Sequence, residues 1–123
     1  MSDVLLHSFL DGARIGIKPL SVNNAYRGRR FSTKEHLRFA EDVSFLLPKI
    51  ILPKPPYQIE FIFGLSSTNA DGDNCIKVVQ DVIAKKYGFN DKQIKRWIVD
   101  VIKTNKGEEF FEFHLKKHNN NER

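Results

Sequence analysis

The sequence predicts an α+β fold: a small mixed sheet of about four to five strands with two main helices, in the order β-β-α-β-α-β-β. Three observations point there. Tyr57 to Leu65 alternates apolar with other residues at a period of two, the pattern of a half-buried strand. The stretch from Ser32–Thr33 to about Leu47, and that from Asn74 to Tyr87, repeat apolar residues every three or four positions, as amphipathic helices do. Lys95 to Thr104 and Glu108 to Lys116 read as two further strands around Asn105-Lys106-Gly107, a hairpin-turn signal.

The remaining elements follow in chain order. Val4 to Leu10 is apolar and extended, Asp11-Gly12 signals a hairpin, and Arg14 to Lys18 returns as a strand that Pro19 ends. Leu20 to Arg30 is a polar loop. Ser32 or Thr33 caps the first helix, whose stripe is Leu37, Ala40, Val43 (or Ser44) and Leu47. Pro48 stops it, and Pro53, Pro55 and Pro56 stiffen the connector to Tyr57. In the second helix Ile76, Val79, Val82 (or Ile83) and Tyr87 share one stripe, Lys77, Asp81 and Lys85 lie opposite, and Gly88 is the natural stop. With 123 residues the chain supports one core, so residues 1–116 are expected to form one domain and 117–123 a polar, frayed tail.

Composition narrows function only loosely. A net charge of +5 suits a polyanionic partner such as nucleic acid. The single Cys75 excludes an internal disulfide. No basic region followed by an apolar block opens the chain, and the most apolar window, Phe45 to Leu52, is short and broken by Pro48 and Lys49. A cytoplasmic protein without a membrane partner is the expectation.

Two stretches carry chemistry. Asp71 and Asp73 stand two apart where the clearest strand gives way to a helix. Close carboxylates repel unless a cation or a shared proton relieves them, so the pair suits a hard cation; a turn at Asp71-Gly72 with Asp73 or Asn74 as helix cap is the alternative. Lys77 follows Asp73 by one helical turn, where an ammonium can hold a phosphate. The loop before the first helix carries Tyr26, Arg27, Arg29 and Arg30, flanked by Asn23 and Lys34. Arg forks fit phosphate oxygens and an aromatic ring can stack on a base or sugar, so these six are candidate nucleic-acid contacts; the alternative is a solvated basic loop.

Other chemistries fit poorly. His7, His36, His114 and His118 are too scattered for a zinc set. No glycine-rich phosphate loop occurs. Asn69, Asp71 and Asp73 match the start of a calcium loop, but Asn74 stands where its glycine is needed and Gln80 where its bidentate Glu belongs.

Taken together, three boxes resemble the RusA family of Holliday junction resolvases. Asp71-Gly72-Asp73-Asn74-Cys75-Ile76-Lys77 with Asp81 is similar to the family's Asp-x-Asp-Asn-x-x-Lys-x-x-x-Asp signature. Asn90-Asp91-Lys92-Gln93-Ile94 resembles its Asp-Asp-x-Gln-Val/Ile box, and Pro19 to Tyr26 its Pro-Pro-Ser-x-Asn-x-x-Tyr stretch. The resemblance implies a RusA-like homodimer in a bacterial or phage-infected cell that cuts four-way DNA junctions with Mg2+, one or two ions per site. It makes Asp71, Asp73 and Asp91 the metal carboxylates and Lys77 the essential lysine, with Asn74 and Asp81 in support. Leu20 and Asn90 depart from the pattern. Ser67 to Ala70 are neutral where family members often carry Arg or Lys, which shifts expected DNA contacts toward Arg27–Arg30. A non-catalytic branched-DNA-binding accessory protein is the alternative function.

Helix length adds a constraint. A helix from Asn74 to Tyr87 is roughly 20 Å long, and the loop after it reaches back only about 10 Å. Asp91 therefore cannot join Asp73 of its own chain on one ion. A shared cation requires Asp91 from the partner chain, giving two composite sites per two-fold dimer.

Overall fold

The computed structural model describes residues 5–21, 26–27, 31–67 and 73–119. Strand β5 (Tyr57–Leu65) is the organising element, because Tyr57, Ile59, Phe61, Phe63 and Leu65 alternate onto one face and all are buried. It is paired on both sides. The sheet runs β1 (Leu6–Phe9), β2 (Gly12–Ile15), β7 (Phe110–Lys117), β5, β6 (Ile94–Lys103). Only β5 and β6 are parallel; the other neighbours are antiparallel, so the sheet is mixed, as expected.

Two helices cover one face. Helix α1 (Lys34–Leu46) is capped by Thr33, whose Oγ1 accepts from His36 N at 3.1 Å. Helix α2 (Asp73–Tyr87) connects β5 to β6 and ends at Gly88, whose positive φ of 74° suits glycine. Phe39, Val43 and Leu47 of the α1 segment and Cys75, Val78, Val79, Val82 and Ile83 of α2 meet Ile15, Ile59, Phe61, Phe63, Phe111, Phe113 and Leu115 in the core. Tyr87 ties the layers together by donating its hydroxyl to Pro48 O, and burial pushes that phenol up to about 12.

Five expectations need correction. β6 and β7 are not a hairpin: β5 lies between them, and the Asn105–Gly107 turn carries the chain across its end, where Thr104 N donates to Leu65 O. The first hairpin turns at Leu10-Asp11, with Phe9 paired to Gly12, one residue earlier than the Asp11-Gly12 signal. Gly12 serves packing instead: a Cβ there would lie 1.8 Å from Phe113 O on β7. Leu37, expected in the α1 stripe, is 61% exposed; Phe39 takes its place, its ring centroid 6.4 Å from that of Phe111. The expected polar loop contains a short strand, β3 (Tyr26–Arg27), which pairs with β4 (Phe31–Ser32) just after it. Finally, Lys117 and His118, expected in a frayed tail, are held: β7 runs through Lys117 and His118 N donates to Pro56 O, while residues 120–123 lie outside the described residues. No helix among the described residues is long and apolar enough to cross a membrane.

Candidate functional site

The exit of β5 aims the chain at the acidic stretch. Leu65 O accepts from Thr104 N at 2.9 Å, and Ser66 Oγ donates to Glu109 at 2.5 Å. Glu109 also accepts from Gly107 N at 2.9 Å. The Ser66 hydroxyl, chiefly, holds this carboxyl below the usual range. Glu109 was not among the expected site residues. Its position beside Glu108 after a turn glycine carries no sign of a partner more than forty residues away.

Asp71 lies outside the described residues. Asp73 is the first residue of α2 and Asn74 the second, so both stand inside the helix rather than at the flanking cap position. A carboxylate in the first turn of a helix is favoured by the partial positive charge there. Lys77 follows one turn later and is exposed; half-buried Asp81 and exposed Lys85 continue the same row at i, i+4 spacing. No hydrogen bond or ion pair engages the Lys77, Asp81 or Lys85 side chains among the described residues. Asp81 and Lys85 line shallow grooves on this helix, one against His36, Ala40 and Ser44 of α1, the other running to Asn90 and Asp91.

The second acidic box has a clear structural basis. Asp91–Gln93 is one turn of 3₁₀-helix. Asn90 Oδ1 accepts from Lys92 N at 2.9 Å, and Asn90 N donates to Gln93 Oε1 at 3.1 Å. This reciprocal cap holds the turn from both sides. Asn90 and Gln93 are thus spent on structure, whereas half-exposed Asp91 has no side-chain partner among the described residues. Ile94 then enters β6 opposite Tyr57, the first residue of β5.

That pairing fixes the geometry of the acids. Because β5 and β6 are parallel, Asp91 lies at the end of the sheet where β5 begins, and Asp73 follows the end where β5 stops. The 15 residues of α2 span about 22 Å between them. Within one chain the two residues stand apart along the backbone, and among the described residues no group of three His, Cys, Asp or Glu side chains is gathered for a metal.

No protein-family model matches the chain, and no curated protein matches it. The proposed DNA contacts are only partly described. Asn23, Arg29 and Arg30 lie outside the described residues. Tyr26 and Arg27 pair through the backbone with Ser32 and Phe31, and Lys34 is exposed at the first position of α1.

The uncovered face of the sheet holds a polar network that the sequence did not suggest. His114 Nδ1 is 2.7 Å from Asp11 Oδ1, and Nε2 is 2.7 Å from Glu112 Oε2. Arg14 Nε donates to the other Glu112 oxygen at 2.8 Å, and its guanidinium lies 4.1 Å from the Phe110 ring centroid. Burial opposes charge on both His114 and Glu112. The partners outweigh it: Asp11 and Glu112 raise His114 above its ordinary value, while His114 and Arg14 lower Glu112.

Proposed function

We propose that this chain is a homodimeric, magnesium-dependent endonuclease that cuts four-way DNA junctions by phosphodiester hydrolysis. Each site draws Asp71, Asp73 and Lys77 from one chain and Asp91 from the other. The observation that supports this best is the state of Asp91 and Lys77. Neither side chain has a hydrogen-bond or ion-pair partner among the described residues, and they stand toward opposite ends of α2, whereas Asn90 and Gln93, beside Asp91, are committed to a cap. Uncommitted carboxylates are the oxygen donors a hard divalent cation takes. The resemblance of the three sequence boxes and the +5 net charge agree with it.

In this reading Arg27, Arg29, Arg30 and Lys34 hold backbone phosphates, and Tyr26 stacks on an exposed base or sugar. Lys77 sets its ammonium against the scissile phosphate and offsets the negative charge that builds up there. Bound Mg2+ would supply Lewis-acid stabilisation of the phosphate and a lowered pKa for a coordinated water. Two sites related by a two-fold axis match the paired, symmetric nicks that resolve a junction.

The test is cleavage of a fixed four-way junction and of linear duplex, each with and without Mg2+. We expect magnesium-dependent cutting of the junction only. Asp73→Asn should lower that rate by more than about a hundredfold while junction affinity stays close to wild type. Junction binding without cutting at any Mg2+ concentration would instead mark a non-catalytic branched-DNA-binding protein.

A further inference from the structure

Strand β6 ends the sheet, and its outer edge pairs with no strand among the described residues. Such edges are usually short, bulged or heavily charged, because unpaired backbone groups recruit other strands. β6 has one irregularity, at Lys95, and pairs regularly from Arg96 to Lys103, where apolar residues alternate with few charges. It is ten residues long, and Trp97, Val101 and Ile102 are 47%, 50% and 45% exposed.

We propose that this edge is the dimer interface: β6 pairs antiparallel with β6 of a second copy about a two-fold axis at Ile98, joining two sheets into one. An axis perpendicular to the sheet keeps both helix layers on one side, so a residue can face only residues of its own face. An axis at Ile98 then sets Arg96 against Asp100 of the partner subunit and Trp97 against the partner's Val99, each pair on one face of the sheet. Arg96 and Asp100 form two opposite-charge pairs, one on each side of the axis. Neighbouring registers lose them. An axis at Val99 sets Arg96 against the partner's Ile102, and one at Asp100 opposes that residue to itself. Like charges directly opposite on a sheet are destabilising.

The interface rests on the composite-site reading for its functional meaning, and it gives that reading a geometry. Antiparallel pairing runs the Asp91 end of one β6 alongside the far end of the partner's β6. The next strand in is the partner's β5, which feeds Asp71 and Asp73. Two strand spacings, roughly 10 Å, separate that strand from β6. The same acids are about 22 Å apart along α2 of one chain.

Light scattering on the full chain, without DNA or metal, tests the interface. The expected mass is twice the 14.3 kDa of one chain. Arg96→Asp and Asp100→Arg, made singly, each oppose like charges across the axis and should weaken self-association about tenfold or more. The double variant restores opposite charges and should return to the dimer. Circular dichroism checks that each variant is folded. Trp97 is the only tryptophan, so its emission should shift to the red as the wild type is diluted into monomers. A monomeric wild type, single variants that stay dimeric, or emission unchanged on dissociation would overturn the interface while leaving the nuclease reading to its own assay. Dimers that respond as expected but never cut a junction would sink the nuclease and keep the interface.

Discussion

His114 has a carboxylate oxygen 2.7 Å from each ring nitrogen. A neutral imidazole can donate from only one of them, so both contacts are hydrogen bonds only in the imidazolium form. Around it stand Asp11 from the first turn, Glu112 from its own strand, Arg14 from β2 and Glu60, its pairing partner on β5; the Phe9 ring packs beside it. The raised pKa of His114 means that its contribution is full below its ordinary value near 6.5 and is lost as pH rises through the folded value. The lowered pKa of Glu112 means that its contribution is present above about 4.5 and is lost as pH falls through the folded value. Stability from the network therefore peaks in mildly acidic solution. Thermal midpoints near pH 6 should exceed those near pH 8, and His114→Gln should remove most of that difference. At pH 6 the same variant should lose about 1–2 kcal/mol in chemical denaturation. An unchanged pH profile in the variant would show that His114 does not titrate within this network. None of it was legible beforehand, because Arg14 meets Glu112 only through a β2–β7 register that local sequence does not specify.

At the scale of elements, periodicity was enough to find both helices and β5, since each buries one face and its spacing shows it. Where two faces compete, spacing alone fails. Helix α1 carries apolar residues at Leu37 and at Phe39, on different sides, and contact with Phe111 decides for Phe39. Pairing partners are less legible still. Asn105-Lys106-Gly107 has hairpin chemistry, yet the strands it joins flank β5, and only the assembled sheet shows that. The first turn is off by one residue for a similar reason: Asp-Gly is a strong local signal, but β7 needs Gly12 in the strand to approach closely. Gly12→Ala should accordingly cost about 3 kcal/mol or more, because its new methyl meets backbone rather than a movable side chain. A denaturation midpoint equal to wild type would contradict that account of the turn.

For the whole molecule, the parallel β5–α2–β6 connection is what turns a set of acids into a question about assembly. It separates Asp73 from Asp91 by the length of a helix and leaves β6 as an open edge. The sequence already suggested the separation through helix length. It could not supply the edge, which depends on strand order. The central claim is that each site takes residues from two chains, and subunit mixing tests it most directly. Asp73→Asn and Asp91→Asn variants, each with its own affinity tag, should both be inactive alone on a four-way junction with Mg2+. When mixed and allowed to exchange, a heterodimer rebuilds one site from its two unaltered acids. Junction nicking should then return to about a quarter of the wild-type level, as single rather than paired nicks. Tagged heterodimers that co-purify yet stay as inactive as both parents would contradict the composite site.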